Sequence, residues 1–233
     1  MIVYKGPSLL NGKPIVAIMT LTSENRKTGQ MAQLWILPQL SAPVTAVKTG
    51  YDEAVCGDCP MRQYSGGACY VNPGRGPQGV WKSWKRGNYQ DNTALKPFRF
   101  LRGLPVRLGA YGDPAALPFE VIRKILDLTR AGHTGYTHQW RSCDQRLKGL
   151  VMASCDSYAD YVEAKAKGWR SFRVVADYDD MVQNERVCAN DSHGTQCRDC
   201  MACHGGPGAD ISIKVHGYVA SRWLNLQETE AAG

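Results

Sequence analysis

Short apolar runs, polar turns and amphipathic stretches follow one another along this chain. Pro14–Thr20 (PIVAIMT) and Ala32–Leu37 (AQLWIL) are apolar runs of strand length, the second closed by Pro38. The polar turn Ser23–Gly29 separates them, so residues 1–50 read as a β-rich opening section. From Val106 the pattern becomes strand and helix in alternation. Val106–Tyr111, Thr134–Gln139, Gly149–Ala153 and Ser171–Ala176 have the composition of strands. Phe119–Arg130 places Phe119, Ile122, Ile125, Leu126 and Thr129 on one helical face, with Pro118 suited to its first turn and Gly132 beyond its end. Tyr158–Lys167 is a second helix, with Ser157 to cap it and Gly168 to stop it. Ile211–Val215 is expected to finish the sheet, Trp223–Leu226 to form a last turn, and Glu228–Gly233 to fray.

Strands and helices at this spacing imply parallel pairing with right-handed crossovers. The expected fold class is α/β, a parallel sheet with cysteine-rich metal-binding loops, in a single domain over 1–233. Within it, 51–105 would hold a first cysteine loop and a basic segment, 106–180 the βα repeats, and 181–233 a cysteine-rich C-terminal extension. Functional groups in such sheets gather at the carboxyl ends of the strands. Those ends carry Asp113, His138, Ser154, Cys155 and Asp177. Taken singly, each is more often a cap or turn residue. Taken together, Asp113, His138 and Asp177 are the candidates to line a catalytic pocket.

The 233 residues are 43% hydrophobic, enough for a packed core. No run approaches the ~18 apolar residues of a membrane span, so no membrane partner is expected. The start of the chain lacks the charged-then-apolar order of an export signal. Nine clustered cysteines then favour metal or redox chemistry over a disulfide framework. The formal charge of +7 counts every thiol as neutral, so it argues only weakly for a nucleic-acid partner.

Cys188, Cys197, Cys200 and Cys203 follow a C-x8-C-x2-C-x2-C spacing. Four thiolates complete either a structural zinc site or an iron–sulfur cluster, and three cysteines at successive two-residue gaps look more like a loop around a [4Fe–4S] cubane. His193 and His204 lie in or beside the same run and are either ligands or solvent-facing. A second group, Cys56, Cys59 and Cys69, has the spacing C-x2-C-x9-C. Its missing ligand would come from Cys143, Cys155 or a histidine, or one iron would stay open to a small molecule. A zinc knuckle with a distant fourth ligand is the alternative.

Between Gly74 and Arg107, Arg75, Lys82, Lys85, Arg86, Lys96, Arg99, Arg102 and Arg107 face a single acid, Asp91, and are interleaved with Trp81, Trp84, Tyr89, Phe98 and Phe100. Cations with stacking rings compose a nucleic-acid surface. The competing and favoured reading is an amphipathic segment whose Trp81 and Trp84 pack on the core.

The order Lys27-Thr28-Gly29, Leu37-Pro38, Cys56…Cys59-Pro60…Cys69-Tyr70, with the C-terminal cysteine run, resembles an uncharacterised bacteriophage family known as gene product 88. That resemblance implies a phage protein acting in the cytoplasm of the infected bacterial host. The chain is also similar, more distantly, to radical S-adenosylmethionine enzymes, which have a partial (β/α) barrel, three early cysteines beside an aromatic, and often a second cluster. This implies an incomplete (β/α) barrel and a redox enzyme with one open cluster, at Cys56, Cys59 and Cys69, and one auxiliary cluster. S-adenosylmethionine would be bound near Tyr70, Gly112 and Asp113, with Gly112-Asp113-Pro114 resembling the segment that holds the methionine amino group. The usual radical loop is C-x3-C-x2-C, from which C-x2-C-x9-C departs. The alternative function is a zinc-stabilised nucleic-acid-binding phage protein.

Overall fold

Among the described residues, nine strands form one sheet in the order β1-β2-β3-β4-β5-β6-β7-β9-β8, numbered along the chain. The structure is a computed structural model and describes residues 1–96, 101 and 103–231. β1 (Ile2–Pro7), β2 (Pro14–Thr20) and β3 (Ala32–Pro38) make an antiparallel meander. β4 (Val106–Tyr111), β5 (His133–Thr137), β6 (Met152–Cys155), β7 (Ser171–Val175), β8 (Glu185–Val187) and β9 (Asp210–Lys214) continue it, and every pairing from β3 onward is parallel. The α/β expectation therefore holds as a mostly parallel sheet with helices. Among the described residues no pairing joins the two edges, β1 and β8.

Among the described residues there are eight α-helices, the last of them following β9: α1 (Pro43–Thr49), α2 (Glu53–Cys56), α3 (Gly76–Lys85), α4 (Phe119–Thr129), α5 (Tyr158–Ala166), α6 (Ala189–His193), α7 (Cys197–Cys200) and α8 (Ala220–Ala231). The amphipathic reading of α4 is met, with Ile122, Ile125 and Thr129 buried. Ser157 caps α5 by accepting from the Asp160 amide at 3.1 Å. Two expectations need correction. The strand at 210–214 does not finish the sheet; it inserts between β7 and β8. The C-terminal segment is no isolated turn with a frayed end, because α8 runs through Ala231 with Trp223 buried. Ala232 and Gly233 lie outside the described residues.

Side chains alternate between the faces of a strand, so the parallel register sorts residues onto two sides. On one side lie Leu108, Gly135, Ala153 and Cys155. Leu108, Ala153 and Cys155 share the main core with Ile122 and Ile125 of α4 and Ala164 of α5. On the other side lie Arg107, Tyr136, Met152, Phe172 and Ile211, linked strand by strand through the register. Two small clusters close this second face. One joins Met152, Cys203 and Ile211; the other joins Ala68 of the first cysteine loop to Val219 and Trp223. Both cysteine-rich segments are thus laid over the face opposite α4 and α5.

Candidate metal centres on one face of the sheet

The first cysteine loop begins where α2 ends, at Cys56. Arg62 holds it. Its guanidinium donates to both Asp52 oxygens, at 3.1 and 2.7 Å, and to the Gly50 and Gly57 carbonyls, at 2.7 and 3.1 Å. The Cys59 amide donates to the Cys56 carbonyl at 3.2 Å and the Cys69 amide to the Met61 carbonyl at 2.8 Å, which folds Cys69 back beside Cys59. Burial pushes the Cys56 thiol well up, and the charges of Cys59 and Cys69 add to this. Burial likewise raises Cys69, with Cys59 adding and His138 opposing. The three thiols are therefore near enough to feel one another.

The strand ends supply the surroundings. Asp113 is buried and works as a loop organiser. One carboxylate oxygen accepts from the Ala115 amide at 2.9 Å and the other from the His138 amide at 2.8 Å, while its own amide donates to the Val55 carbonyl at 2.6 Å. Burial raises its carboxyl, against hydrogen bonds from Ala115, Thr137 and His138. Gly112, at φ +78°, is where the chain passes so close to β3 that a Cβ would meet the Ile36 carbonyl oxygen at 2.6 Å. His138 follows β5 with its Nε2 3.0 Å from Asp156. Burial pulls its pKa down, but Cys59 and Asp156 outweigh burial and leave it well above the ordinary histidine value. The Gln139 amide group donates to the Cys56 carbonyl at 3.0 Å.

Asp177 is not brought to this group. It caps the turn Tyr178–Asp180, and its exposed carboxylate pairs with Lys214. Tyr70 is exposed, and its hydroxyl accepts from Arg107 at 3.0 Å. Cys155 lies on the helix-covered face, its thiol 3.7 Å from the Ala153 carbonyl. Cys143 borders a cleft of about 670 Å³, also lined by Glu53, Asp58, Arg62, Gln139 and Asp144. Sequence reasoning missed Arg62 and Tyr111. The Tyr111 hydroxyl is buried and has no hydrogen-bond partner. Burial raises that hydroxyl well above the usual tyrosine value, and the neighbouring Cys56, Asp52 and Cys69 add to the shift.

The C-terminal run is the connection from β8 to β9, and separate parts of the fold anchor it. The Cys188 amide donates to the Ser212 carbonyl on β9 at 2.8 Å. The Cys197 and Arg198 amides donate to the Lys27 and Thr28 carbonyls at 2.9 and 3.1 Å, which gives the Lys27-Thr28-Gly29 turn a structural role. The Cys203 carbonyl accepts from the Gly135 amide on β5 at 2.9 Å. Burial pushes the Cys203 thiol up to about 12, while the neighbouring Tyr136 hydroxyl works in the other direction. Cys188, Cys197 and Cys200 all act on Cys203 through their charge. Arg107 stands between the two loops. Burial lowers its pKa, but Tyr70, Tyr136 and Cys197 outweigh burial and the net shift is upward. His193 lies beside Ser192, at 2.6 Å, and His204 accepts from the Gly206 amide at 3.1 Å.

All nine cysteines are free thiols. Among the described residues, no three cysteine, histidine or carboxylate side chains are gathered, as they stand, into a set that could hold a metal ion. No family model matches the chain, and no curated protein or solved structure matches it. The motif resemblances therefore rest on their own residues. No helix among the described residues is long and apolar enough to cross a membrane.

The basic segment divides. Trp81 and Trp84 of α3 pack against the core, and the Trp81 ring nitrogen donates to the Pro38 carbonyl at 2.9 Å. Lys85 lies over both rings, 5.3 and 5.1 Å from their centres. Arg107 sits on β4 between the cysteine loops. Phe98, Arg99, Phe100 and Arg102 lie outside the described residues.

Proposed function

We propose that this chain is an iron–sulfur protein with two cysteine-held centres on the sheet face opposite α4 and α5. The observation that carries the reading is the anchoring of the C-terminal run: Cys188 to β9, Cys197 to the turn at Lys27, and Cys203 to β5. Unrelated buried thiols require no such set of backbone ties. In this reading Cys188, Cys197, Cys200 and Cys203 hold one [4Fe–4S] cluster, and Cys56, Cys59 and Cys69 belong to a second. A bound cluster supplies one-electron exchange. The chain's own part is to exclude water, hold the sulfurs and tune them. Tyr136 lies against Cys203, and the unpartnered Tyr111 hydroxyl beside Cys56 and Cys69 is a donor suited to a thiolate sulfur. Hydrogen bonds to cluster sulfurs are among the factors that set reduction potential. Metal binding takes the protons off thiols that burial otherwise keeps protonated. The phage origin and the host cytoplasm belong to this proposal on the strength of the motifs. The cleft lined by Glu53, Asp58 and Arg62 offers a polar small-molecule substrate a place beside the first loop.

Iron, acid-labile sulfide and the visible spectrum, measured on protein purified without oxygen, test the reading. About eight irons with matching sulfide are expected, and Cys197→Ser should remove about four of them. Zinc without sulfide would sink the iron–sulfur assignment and leave a zinc-stabilised protein, for which salt-dependent nucleic-acid binding becomes the next measurement.

A further inference from the structure

The first centre lacks a fourth thiol. Cys155 lies on the opposite face of the sheet, and Cys143 opens to the cleft beside Asp144. His138 is differently placed. It lies just past the end of β5, and its neighbour Gln139 donates to the Cys56 carbonyl at 3.0 Å, which brings it beside the first loop. Its backbone is pinned by Asp113, whose carboxylate accepts the His138 amide at 2.8 Å. Its Nε2 faces Asp156 at 3.0 Å, which leaves Nδ1 as the free ring nitrogen. Asp156 is itself held, its amide donating to Asp160 at 3.0 Å. A second observation points into the same space: the Tyr111 hydroxyl, on a residue only 6% exposed, has no partner and lies beside Cys56 and Cys69.

We propose that His138 is the fourth protein ligand of the metal centre held by Cys56, Cys59 and Cys69, and that Asp156 orients its ring. The inference rests on the two-centre reading above. Metal-binding histidines almost always donate their other ring N–H to a carboxylate or carbonyl, which fixes the tautomer and strengthens the ligand. Here Nε2–H would donate to Asp156 and the neutral Nδ1 would ligate, while the three thiols give up their protons to solvent. Such a centre is closed. It has no open iron for S-adenosylmethionine, so its role is electron storage or transfer.

The test uses the full chain, reconstituted anaerobically with iron and sulfide. The wild type is compared with His138→Ala, His138→Cys and Asp156→Asn. His138→Ala should fall from about eight irons to about four, and His138→Cys should restore them. The reduced wild type should show nitrogen hyperfine coupling that His138→Cys abolishes. Asp156→Asn should weaken metal retention roughly 10- to 100-fold while keeping the coupling. Full iron in His138→Ala, absence of nitrogen coupling in the wild type, or S-adenosylmethionine binding at the wild-type cluster would overturn the His138 assignment alone. A wild type holding about four irons, all lost in Cys197→Ser, would overturn the two-centre reading and this inference with it.

Discussion

Arg173 on β7 reaches past β9 to Glu185 on β8. Its guanidinium donates to both carboxylate oxygens, at 2.8 and 2.6 Å, between side chains 5% and 0% exposed. Removing one partner of a buried pair leaves the other charge unpaired and costs about 3–5 kcal/mol. Glu185→Ala should therefore lose about that much in urea unfolding at neutral pH, and Glu185→Gln somewhat less. Burial raises the Glu185 carboxyl, but the hydrogen bonds from Arg173 win and hold it below its usual value. A depressed acid contributes stability above its unfolded pKa and loses it as pH falls through the folded one. The stability gap between wild type and variant should accordingly narrow as pH drops below about 4; a gap independent of pH would show that the charge is not what matters. At this scale the thiols were readable, because their spacing is local. Tyr111, Tyr136, Arg62 and Asp156 were not. Each acts through a neighbour that only the fold brings near, and a lone tyrosine or arginine carries no spacing signal. His138 was readable as a strand-end residue, but its position beside the first cysteine loop, next to Gln139 bonded to Cys56, was not.

Among the elements, the first cysteine loop depends on a turn at Gly67. A Cβ there would overlap the Pro60 carbonyl and the Met61 backbone. Backbone cannot yield as a flexible side chain can, so Gly67→Ala should cost about 1–3 kcal/mol. The expected reading is a lowered melting temperature with iron lost from the first centre and kept at the second. Equal loss from both would show that the two loops fold as one unit. β2, β3, β4, β7, α4 and α5 were legible because each carries its own period or an unbroken apolar run. β8 was missed because three residues, two of them charged, show no pattern, and its strand character comes from β9 alone. The meander's first strand was missed because Lys5 and Gly6 interrupt its alternation. The place of β9 inside the sheet is a non-local pairing that no local pattern encodes.

For the molecule as a whole, the proposed centres would give the C-terminal extension a source of stability that the β-meander does not need. β2 and β3 are buried along nearly their whole length. α6 and α7, with five and four residues, are too short to hold themselves. Removing metal with a chelator under reducing conditions should therefore raise amide hydrogen exchange over 185–203 while leaving 14–38 protected. Uniform loss of protection would mean that the metal centres hold up the entire fold.

The insertion of β9 between β7 and β8 also sets an order on biosynthesis. A chain emerging from the ribosome folds its N-terminal parts first. β8 pairs with β9 alone, and the C-terminal cysteines lie in the connection between the two. Cys188 emerges before the strand that will fix it exists, and its amide finds Ser212 only after Cys203 has already been made. On the proposed reading, the second centre can be assembled only after β9 has been made. Until then four free thiols are exposed to whatever metal or oxidant the translating cell supplies.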